Sequence, residues 1–371
     1  MHILMTANSV WSLVNYRQGL IETLIADGHQ ITVLAKDDSK SDVLKAIGCQ
    51  FIPLKMDSKG LYPHREFILF VKFLYYFGKY KPDVILGYTI KNNIFGALAS
   101  RMLGIPFIPN VTGLGMAFLS GSVLRKVAEQ LYKIAFRKVP VVFLQNKDDR
   151  ALFLTYQLVK ETQVRTLPGS GIDLTRFQPS NLPCRDTSAH FLLIARLIKD
   201  KGVFEFIEAA RQVRKLFPKT QFQLLGPIGA EARGTIDEGT IMDWVKDGIV
   251  EYLGVTSDVQ PFIKAADCIV LPSYYREGTP RTLIEASAMA RPVISTDTPG
   301  CREVVDDGLT GYLCAARSAE SLYESMVEFL TLPQADRQSM GEAGRVKMER
   351  EYDQALVIKA YQEEILKCVK Q

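Results

Sequence analysis

The sequence predicts an α/β protein made of two doubly wound domains, each a parallel sheet covered by helices on both faces. Three observations lead there. Short apolar runs alternate with longer amphipathic stretches throughout, and strict alternation implies right-handed crossovers between parallel strands. The 371 residues exceed what one domain of about 150 residues needs. Pro168, Gly169, Gly171, Pro179 and Pro183 crowd together, a density that stops regular structure midway along the chain.

Taken in order, residues 2–5, 30–35, 84–87 and 139–145 are apolar runs of strand length in the first half. Between them, residues 16–27, 93–103 and 122–138 carry polar side chains at helical spacing. The break spans residues 168–186. After it, residues 191–195, 221–226, 268–272 and 292–295 read as strands and 204–216 as a helix. The domains are therefore drawn at residues 1–168 and 169–352. Doubly wound domains bind ligands beyond the carboxyl ends of their strands, so two of them facing each other predict a cleft.

Composition narrows the class. A hydrophobic fraction of 47% with 23% charged residues describes a soluble chain with a real core and excludes disorder or a disulfide-built scaffold. The net charge of +4 hides a division: residues 1–170 hold 21 Lys and Arg against 12 Asp and Glu, whereas residues 171–371 hold 24 against 29. Such asymmetry points to partners of the basic half. The six cysteines lack the paired spacing of zinc or redox sites and read as reduced thiols of a cytoplasmic protein. Residues 2–5 look like a first strand, not a signal peptide. The most apolar stretch, residues 67–77, is interrupted by Lys72 and falls short of the roughly 20 residues that span a bilayer.

Several chemistries lack their residues. Thr6-Ala7-Asn8-Ser9-Val10 follows the first strand where a dinucleotide-binding turn needs glycines, and no phosphate loop of the Walker type occurs. The four histidines are not spaced as metal ligands, and no Asp-x-Asp pair is present, so no metal or other cofactor is expected.

The informative segments lie in the second half. In residues 271–286 a strand ends, a loop follows, and a helix begins near Thr279-Pro280, where proline suits the first turn. Gly278 lets the backbone approach a ligand, and a helix start favours phosphate. Glu277 and Glu285 bracket this turn, and an ionised carboxylate accepts two sugar hydroxyls at once. In residues 195–202, Arg196 follows a strand and Lys201 precedes a helix, as cations that stabilise a departing diphosphate would. Spacing alone leaves both segments also readable as solvated surface charges, the glutamates more so than the basic loop.

Together these segments resemble the retaining glycosyltransferases of family 4, of GT-B architecture with two Rossmann-like domains. The shared features are the Glu-x7-Glu of Glu277 and Glu285, Arg196 with Lys201, Gly171-Ile172-Asp173, Gly254-x2-Ser257-Asp258, the run from Asp267 to Ser273, and Gly300-x2-Glu303-x4-Gly308-x2-Gly311. The resemblance implies that Arg196 and Lys201 hold the diphosphate of a UDP-sugar and that Glu277 faces the transferred sugar. It implies that Gly278, Thr279 and Pro280 meet the phosphates, that Glu285 binds the ribose, and that Gly226 and Gly254 lie beside the nucleotide. No metal is implied. The last helix, within residues 353–371, is expected to return to the first domain, and the domains to close over substrate. Many members carry a histidine in the first domain where this chain has Thr112. Lys91-x-Asn93-x-Phe95-Gly96 and Gly113-Leu114-Gly115 match best those bacterial members that add a sugar such as GalNAc to undecaprenyl-diphosphate-linked saccharides. That implies an acceptor carrying a polyprenyl diphosphate. Arg17 and Lys91, each near the start of a helix that follows a first-domain strand, are expected to contact its phosphates, with Asn93 and Thr112 as further acceptor contacts.

Two basic amphipathic stretches, residues 61–81 and 122–138, are readable as surfaces for an anionic membrane on the inner face of the cytoplasmic membrane, or as ordinary helices packed on a sheet. No nucleic-acid motif accompanies them. A UDP-sugar 2-epimerase of the same fold and a non-catalytic sugar-nucleotide-binding protein are the competing readings. The epimerase needs a histidine in the cleft.

Overall fold

The computed structural model describes residues 1–38, 40–57, 62–114, 122–185, 189–229 and 234–369. Positions 61, 115 and 186 of the stretches above lie outside these residues, as do the side chains of Val123 and Leu124. The chain forms two compact units, Met1–Gly171 with Gln354–Gln371, and Ile172–Asp353. The division therefore falls three residues after the boundary drawn from the sequence.

Unit 1 contains β1 (His2–Ala7), α1 (Val10–Ala26), β2 (Gln30–Ala35), α2 (Ser41–Ala46), β3 (Gln50–Pro53), α3 (Pro63–Tyr80), β4 (Val84–Tyr88) and α4 (Ile90–Leu103). It continues through β5 (Phe107–Val111), α5 (Ser122–Phe136), β6 (Val142–Leu144), α6 (Lys147–Thr155) and β7 (Val164–Thr166). The strands form one parallel sheet in the order β3-β2-β1-β4-β5-β6-β7. Alternate residues supply its two faces. Leu4, Leu34 and Ile85 pack under α3, α4 and α5 through Phe73, Ala97 and Tyr132. Met5, Val33 and Leu86 pack against α1 and the C-terminal helix through Leu20 and Tyr361. A strand buried on both faces reads as a continuous apolar run, which is why β1, β2 and β4 are visible in the sequence.

The segments expected from sequence need adjustment. Helix α1 starts at Val10, six residues before the expected start, because Ser9 caps it by accepting from the Ser12 N–H at 3.2 Å. Strand β5 carries Pro109 and fully buried Asn110, a composition that hides a strand. Asn110 is satisfied there by donating to Tyr361 Oη at 2.8 Å and accepting from Gln145 Nε2 at 3.1 Å.

Unit 2 contains β8 (His190–Ile194), α7 (Val203–Leu216), β9 (Gln221–Leu225), α8 (Glu238–Lys246), β10 (Glu251–Tyr252), α9 (Gln260–Ala265) and β11 (Cys268–Leu271). After these come α10 (Arg281–Ala288), β12 (Val293–Thr296), β13 (Gly311–Cys314), α11 (Ala319–Thr331) and α12 (Gln334–Lys347). The sheet is again parallel, in the order β10-β9-β8-β11-β12-β13. Helix α13 (Gln354–Val369) then packs on the sheet of unit 1, with Tyr361 4.7 Å from the Phe143 ring and Arg165 paired to Glu363 and Glu364. Both sheets turn around at their first strand, so ligand sites are expected at the carboxyl ends of β1 and β4 in unit 1 and of β8 and β11 in unit 2.

Candidate active site

In unit 2, the strand ends draw the sequence-predicted residues together. Lys201 sits in a short turn, Lys199–Lys201, after β8. The Asp200 carbonyl in that turn accepts the N–H groups of both Tyr274 and Tyr275 at 3.0 Å, which ties it to the loop after β11. From that loop, Glu277 Oε1 accepts from Lys201 Nζ in an ion pair and from Ser273 Oγ at 3.0 Å. The two charged side chains are only 12% and 13% exposed, so each is held mainly by the other. Lys201 also lies 5.5 Å from the centre of the Tyr275 ring.

Gly202 makes this turn possible. Its φ of +74° is left-handed, and an added Cβ would lie 2.1 Å from the Pro272 carbonyl oxygen. Gly226 ends β9 equally tightly: a Cβ there would fall 1.9 Å from the Ala195 oxygen. Its N–H donates to the Gly254 carbonyl at 2.9 Å and its own carbonyl accepts from Tyr252 Oη at 3.0 Å. The expected nucleotide positions Gly226 and Gly254 thus meet beside Ala195, next to Arg196. Arg196 itself is exposed.

Helix α10 begins at Arg281 with Pro280 as its cap, one residue later than expected, so Glu285 lies in the second turn. Thr282 Oγ1 donates to the Ile194 carbonyl at 3.0 Å and pins this helix to the end of β8. Glu285 Oε1 accepts from Arg281 Nε at 2.7 Å. Burial pushes the Glu285 carboxyl above the ordinary range, while Arg281 and then Arg176 pull it back. Gly278 and Pro280 are buried and Thr279 half-buried.

The raised Glu285 carboxyl sets a pH dependence. Folded protein holds this proton more tightly than unfolded chain, so Glu285 contributes stability that declines as pH rises through the window above the ordinary Glu value. Ligand hydroxyls need the ionised form. The KM for a donor that uses Glu285 should therefore rise as pH falls, by up to about tenfold per pH unit, beginning at a higher pH than an ordinary Glu allows. Glu285→Gln should give a high KM with a flat profile; a profile unchanged in that variant would remove Glu285 from the site.

Sequence reasoning missed Ser273, which holds Glu277, and Arg281, which holds Glu285. The four-residue spacing between Arg281 and Glu285 was a usable signal, since such residues are neighbours on a helix. The histidines lie elsewhere: His2 and His190 open β1 and β8 at their amino ends, His29 precedes β2, and His64 is in the first turn of α3. His190 is the one histidine of unit 2 and opens β8 at its amino end, so within that unit the epimerase reading finds no histidine beside Glu277.

In unit 1, Lys91 is in the first turn of α4, as expected, but it is 8% exposed and turned inward. Its Nζ donates to Glu66 Oε1 at 2.5 Å and to the Asp57 carbonyl at 2.7 Å. Lys91 is thus already engaged where the sequence expected a cation presented to a phosphate: it ties α3 to α4. Lys91→Ala leaves Glu66, whose side chain is 15% exposed, without its partner and should cost about 3 kcal/mol, measured as a lower unfolding midpoint, with Lys91→Met/Glu66→Gln recovering most of it.

Arg17 is in the third turn of α1, not near its start, and lies 5.0 Å over the Tyr88 ring at the end of β4. It is buried, and its Nη1 has no hydrogen-bond partner. Asn93 is fully buried and donates to the Asn110 carbonyl at 2.8 Å, while Thr112 is exposed just past β5. Between β4 and α4, Thr89 holds a φ of +69°, a strained backbone of the kind that collects at functional sites.

Comparisons with known proteins agree with this arrangement. Residues 2–146 match the family described as "Glycosyl transferase 4-like", and residues 188–331 match "Glycosyl transferases group 1". The chain is 27% identical over 334 residues, 85% of each chain, to the N,N'-diacetylbacillosaminyl-diphospho-undecaprenol alpha-1,3-N-acetylgalactosaminyltransferase of Campylobacter jejuni. It is 26% identical over 306 residues, 78% of this chain and 75% of the other, to the UDP-Gal:alpha-D-GlcNAc-diphosphoundecaprenol alpha-1,3-galactosyltransferase of Escherichia coli. The crystal structure of Anabaena Alr3699/HepE in complex with UDP-glucose shares its fold, with a TM-score of 0.79 over 99% of this chain and 100% of that one at 17% identity. With one family match on each unit and the fold shared end to end, the chain belongs to the family 4 glycosyltransferases and is a glycosyltransferase of GT-B fold.

Proposed function

We propose that the enzyme transfers a hexose or N-acetylhexosamine from a UDP-sugar to a polyprenyl-diphosphate-linked saccharide in the assembly of a bacterial surface or protein glycan, with retention and without a metal ion. The Lys201–Glu277 pair, fixed by Ser273, carries this reading. A donor diphosphate competes with Glu277 for Lys201. Once Lys201 turns to the diphosphate, the Glu277 carboxylate is released to accept hydroxyls of the sugar. Binding the leaving group and orienting the sugar thus become one event. Arg196 adds the second cation, so protein charge takes the part that a divalent ion plays elsewhere. Glu285, oriented by Arg281, accepts the ribose hydroxyls, while Gly226, Gly254 and the Gly278–Pro280 turn receive the nucleotide.

In the chemical step the bond from the anomeric carbon to the diphosphate oxygen breaks with its electron pair going to UDP. The acceptor oxygen bonds to the same face of that carbon, and its proton passes to the departing phosphate. The protein's task is charge stabilisation and positioning.

The acceptor reading is supported by the substrates in the names of the Campylobacter and Escherichia relatives, both diphospho-undecaprenol saccharides, and the donor reading by the UDP-Gal of the Escherichia enzyme and by UDP-glucose in the Anabaena structure. On the acceptor side we assign Arg17, Asn93 and Thr112 as contacts, with Lys91 holding the helix that carries Asn93. With a lipid-linked acceptor, the enzyme is read as a peripheral protein of the inner face of the cytoplasmic membrane. No helix among the described residues is long and apolar enough to cross a membrane. The stereochemical and metal claims are tested together by transfer in EDTA followed by NMR of the new anomeric centre. The expected product keeps the donor's anomeric configuration at an unchanged rate; an inverted product, or a rate restored only by added metal, contradicts the proposal.

A further inference from the structure

The outer surface of the α3–α4–α5 layer in unit 1 is built for a different kind of partner from the rest of the molecule. Helix α3 buries Leu69, Phe73 and Phe77 on its sheet side. On the opposite side it exposes Phe67 (65%), Ile68, Val71 and Tyr75 (60%). Single exposed hydrophobes are ordinary, but four within nine residues of one helix form a continuous apolar strip. Helices α4 and α5 extend the same layer and expose Met102, Val127 and Ile134. Val127 and Ile134 are apolar residues of the amphipathic stretch read at residues 122–138. The structure packs Ala128, Tyr132, Ala135 and Phe136 inward and leaves those two outside.

Charge accompanies the apolar groups. A groove of about 1040 Å³ beside α4 and α5 is lined by Arg101, Lys133, Arg137, Lys138 and Lys160, and by no carboxylate. On α3, Lys79 lies over the Tyr75 and Tyr80 rings at 5.9 and 5.4 Å. The acids of these helices are already engaged, Glu66 by Lys91 and Glu129 by Arg125. Unit 1 as a whole holds 24 Lys and Arg against 14 Asp and Glu, counted over residues 1–171 and 354–371.

We propose that this face docks on an anionic phospholipid bilayer, with the α3 strip entering the headgroup boundary and the α4–α5 groove seating lipid phosphates. Protein interfaces are depleted in lysine at their core, whereas helices lying in a membrane interface combine Lys and Arg with Phe, Tyr and aliphatic residues, as here. The inference deepens the proposed function and rests on its lipid-linked acceptor for the choice of partner.

The test is vesicle sedimentation of the full chain, with phosphatidylglycerol-containing and pure phosphatidylcholine vesicles at low and high salt. Two variants are compared, Phe67→Ser/Tyr75→Ser and Lys133→Gln/Arg137→Gln/Lys138→Gln, with thermal unfolding as a check on folding. The chain should prefer anionic vesicles and lose binding as salt rises. The charge variant should bind about fivefold more weakly for each cation removed, with a flatter salt response. The aromatic variant should bind about a hundredfold more weakly at either salt, roughly tenfold per ring. Both should still transfer sugar to a detergent-dispersed acceptor. Vesicle binding equal to wild type in both variants, or no preference for anionic lipid, overturns the docking face. So does a wild-type dimer in ultracentrifugation that the aromatic variant abolishes, since the occupant would then be a second copy. Vesicle binding as expected without any transfer to lipid-linked saccharides would sink the acceptor reading while leaving the docking face in place.

Discussion

Lys201→Ala lowers kcat/KM for transfer by about 100- to 1000-fold, the loss expected when a fixed charge is removed from a developing diphosphate. Glu277→Ala falls by a similar factor. The two losses do not add, because each variant also strips the other residue of its partner: Lys201 and Glu277 are one ion pair, 12% and 13% exposed. The double variant should therefore be little worse than either single one. Glu277→Gln keeps an acceptor for Ser273 Oγ but leaves Lys201 without its counter-charge, so its donor KM should change less than its kcat. That outcome would separate Glu277's part in orienting the sugar from its part in restraining Lys201. Steady-state kinetics with donor and acceptor varied independently reads these differences. Single variants that retain full activity would dissolve the pair as the centre of the site.

Gly202→Ala should disable the same site through the backbone. A Cβ at φ +74° costs about 1–2 kcal/mol of strain, and a carbonyl oxygen 2.1 Å away cannot yield as a flexible side chain would. Relief requires the Lys199–Lys201 turn to move away from the loop after β11, breaking the Asp200 carbonyl's bonds to Tyr274 and Tyr275. We expect an unfolding midpoint lowered by several degrees, a stability loss of about 3 kcal/mol, and donor binding weakened at least as much as in Lys201→Ala. Gly248→Ala, in the connection before β10, is the control. Its φ is +68°, but nothing lies within 4 Å of its would-be Cβ, so only the strain remains and donor binding should fall little. Equal effects at the two positions would mean that backbone conformation matters here and close approach does not.

What could be read from the sequence follows the range over which each feature is determined. Glu277, Arg196 and Lys201 each lie within a single connection from a strand to a helix, and Glu285 early in the helix that follows, so local spacing places them near the carboxyl ends of β8 and β11. The double burial of β1, β2 and β4 made them apolar runs, and the two-unit division followed from the Pro and Gly cluster. Strand β5 escaped because Pro109 and Asn110 break that pattern, and Asn110 is tolerated only through Tyr361, 251 residues away. The orientation of Lys91 escaped for a similar reason. Its partner Glu66 sits 25 residues earlier on another helix, and nothing in the local sequence tells an inward lysine from an outward one. The length of α1 depended on one hydrogen bond at Ser9 that hydrophobic periodicity does not register. The outward turn of Val127 and Ile134 depended on Tyr132 and Phe136 filling the sheet side of α5 first.

The most direct measurement incubates the purified full chain with a panel of UDP-sugars and a polyprenyl-diphosphate saccharide, without added metal, and weighs the lipid product by mass spectrometry. The site described here predicts a gain of one hexose or N-acetylhexosamine residue with one of these donors, lost in Lys201→Ala/Glu277→Ala. No gain with any donor, or the same gain in the double variant, would contradict it.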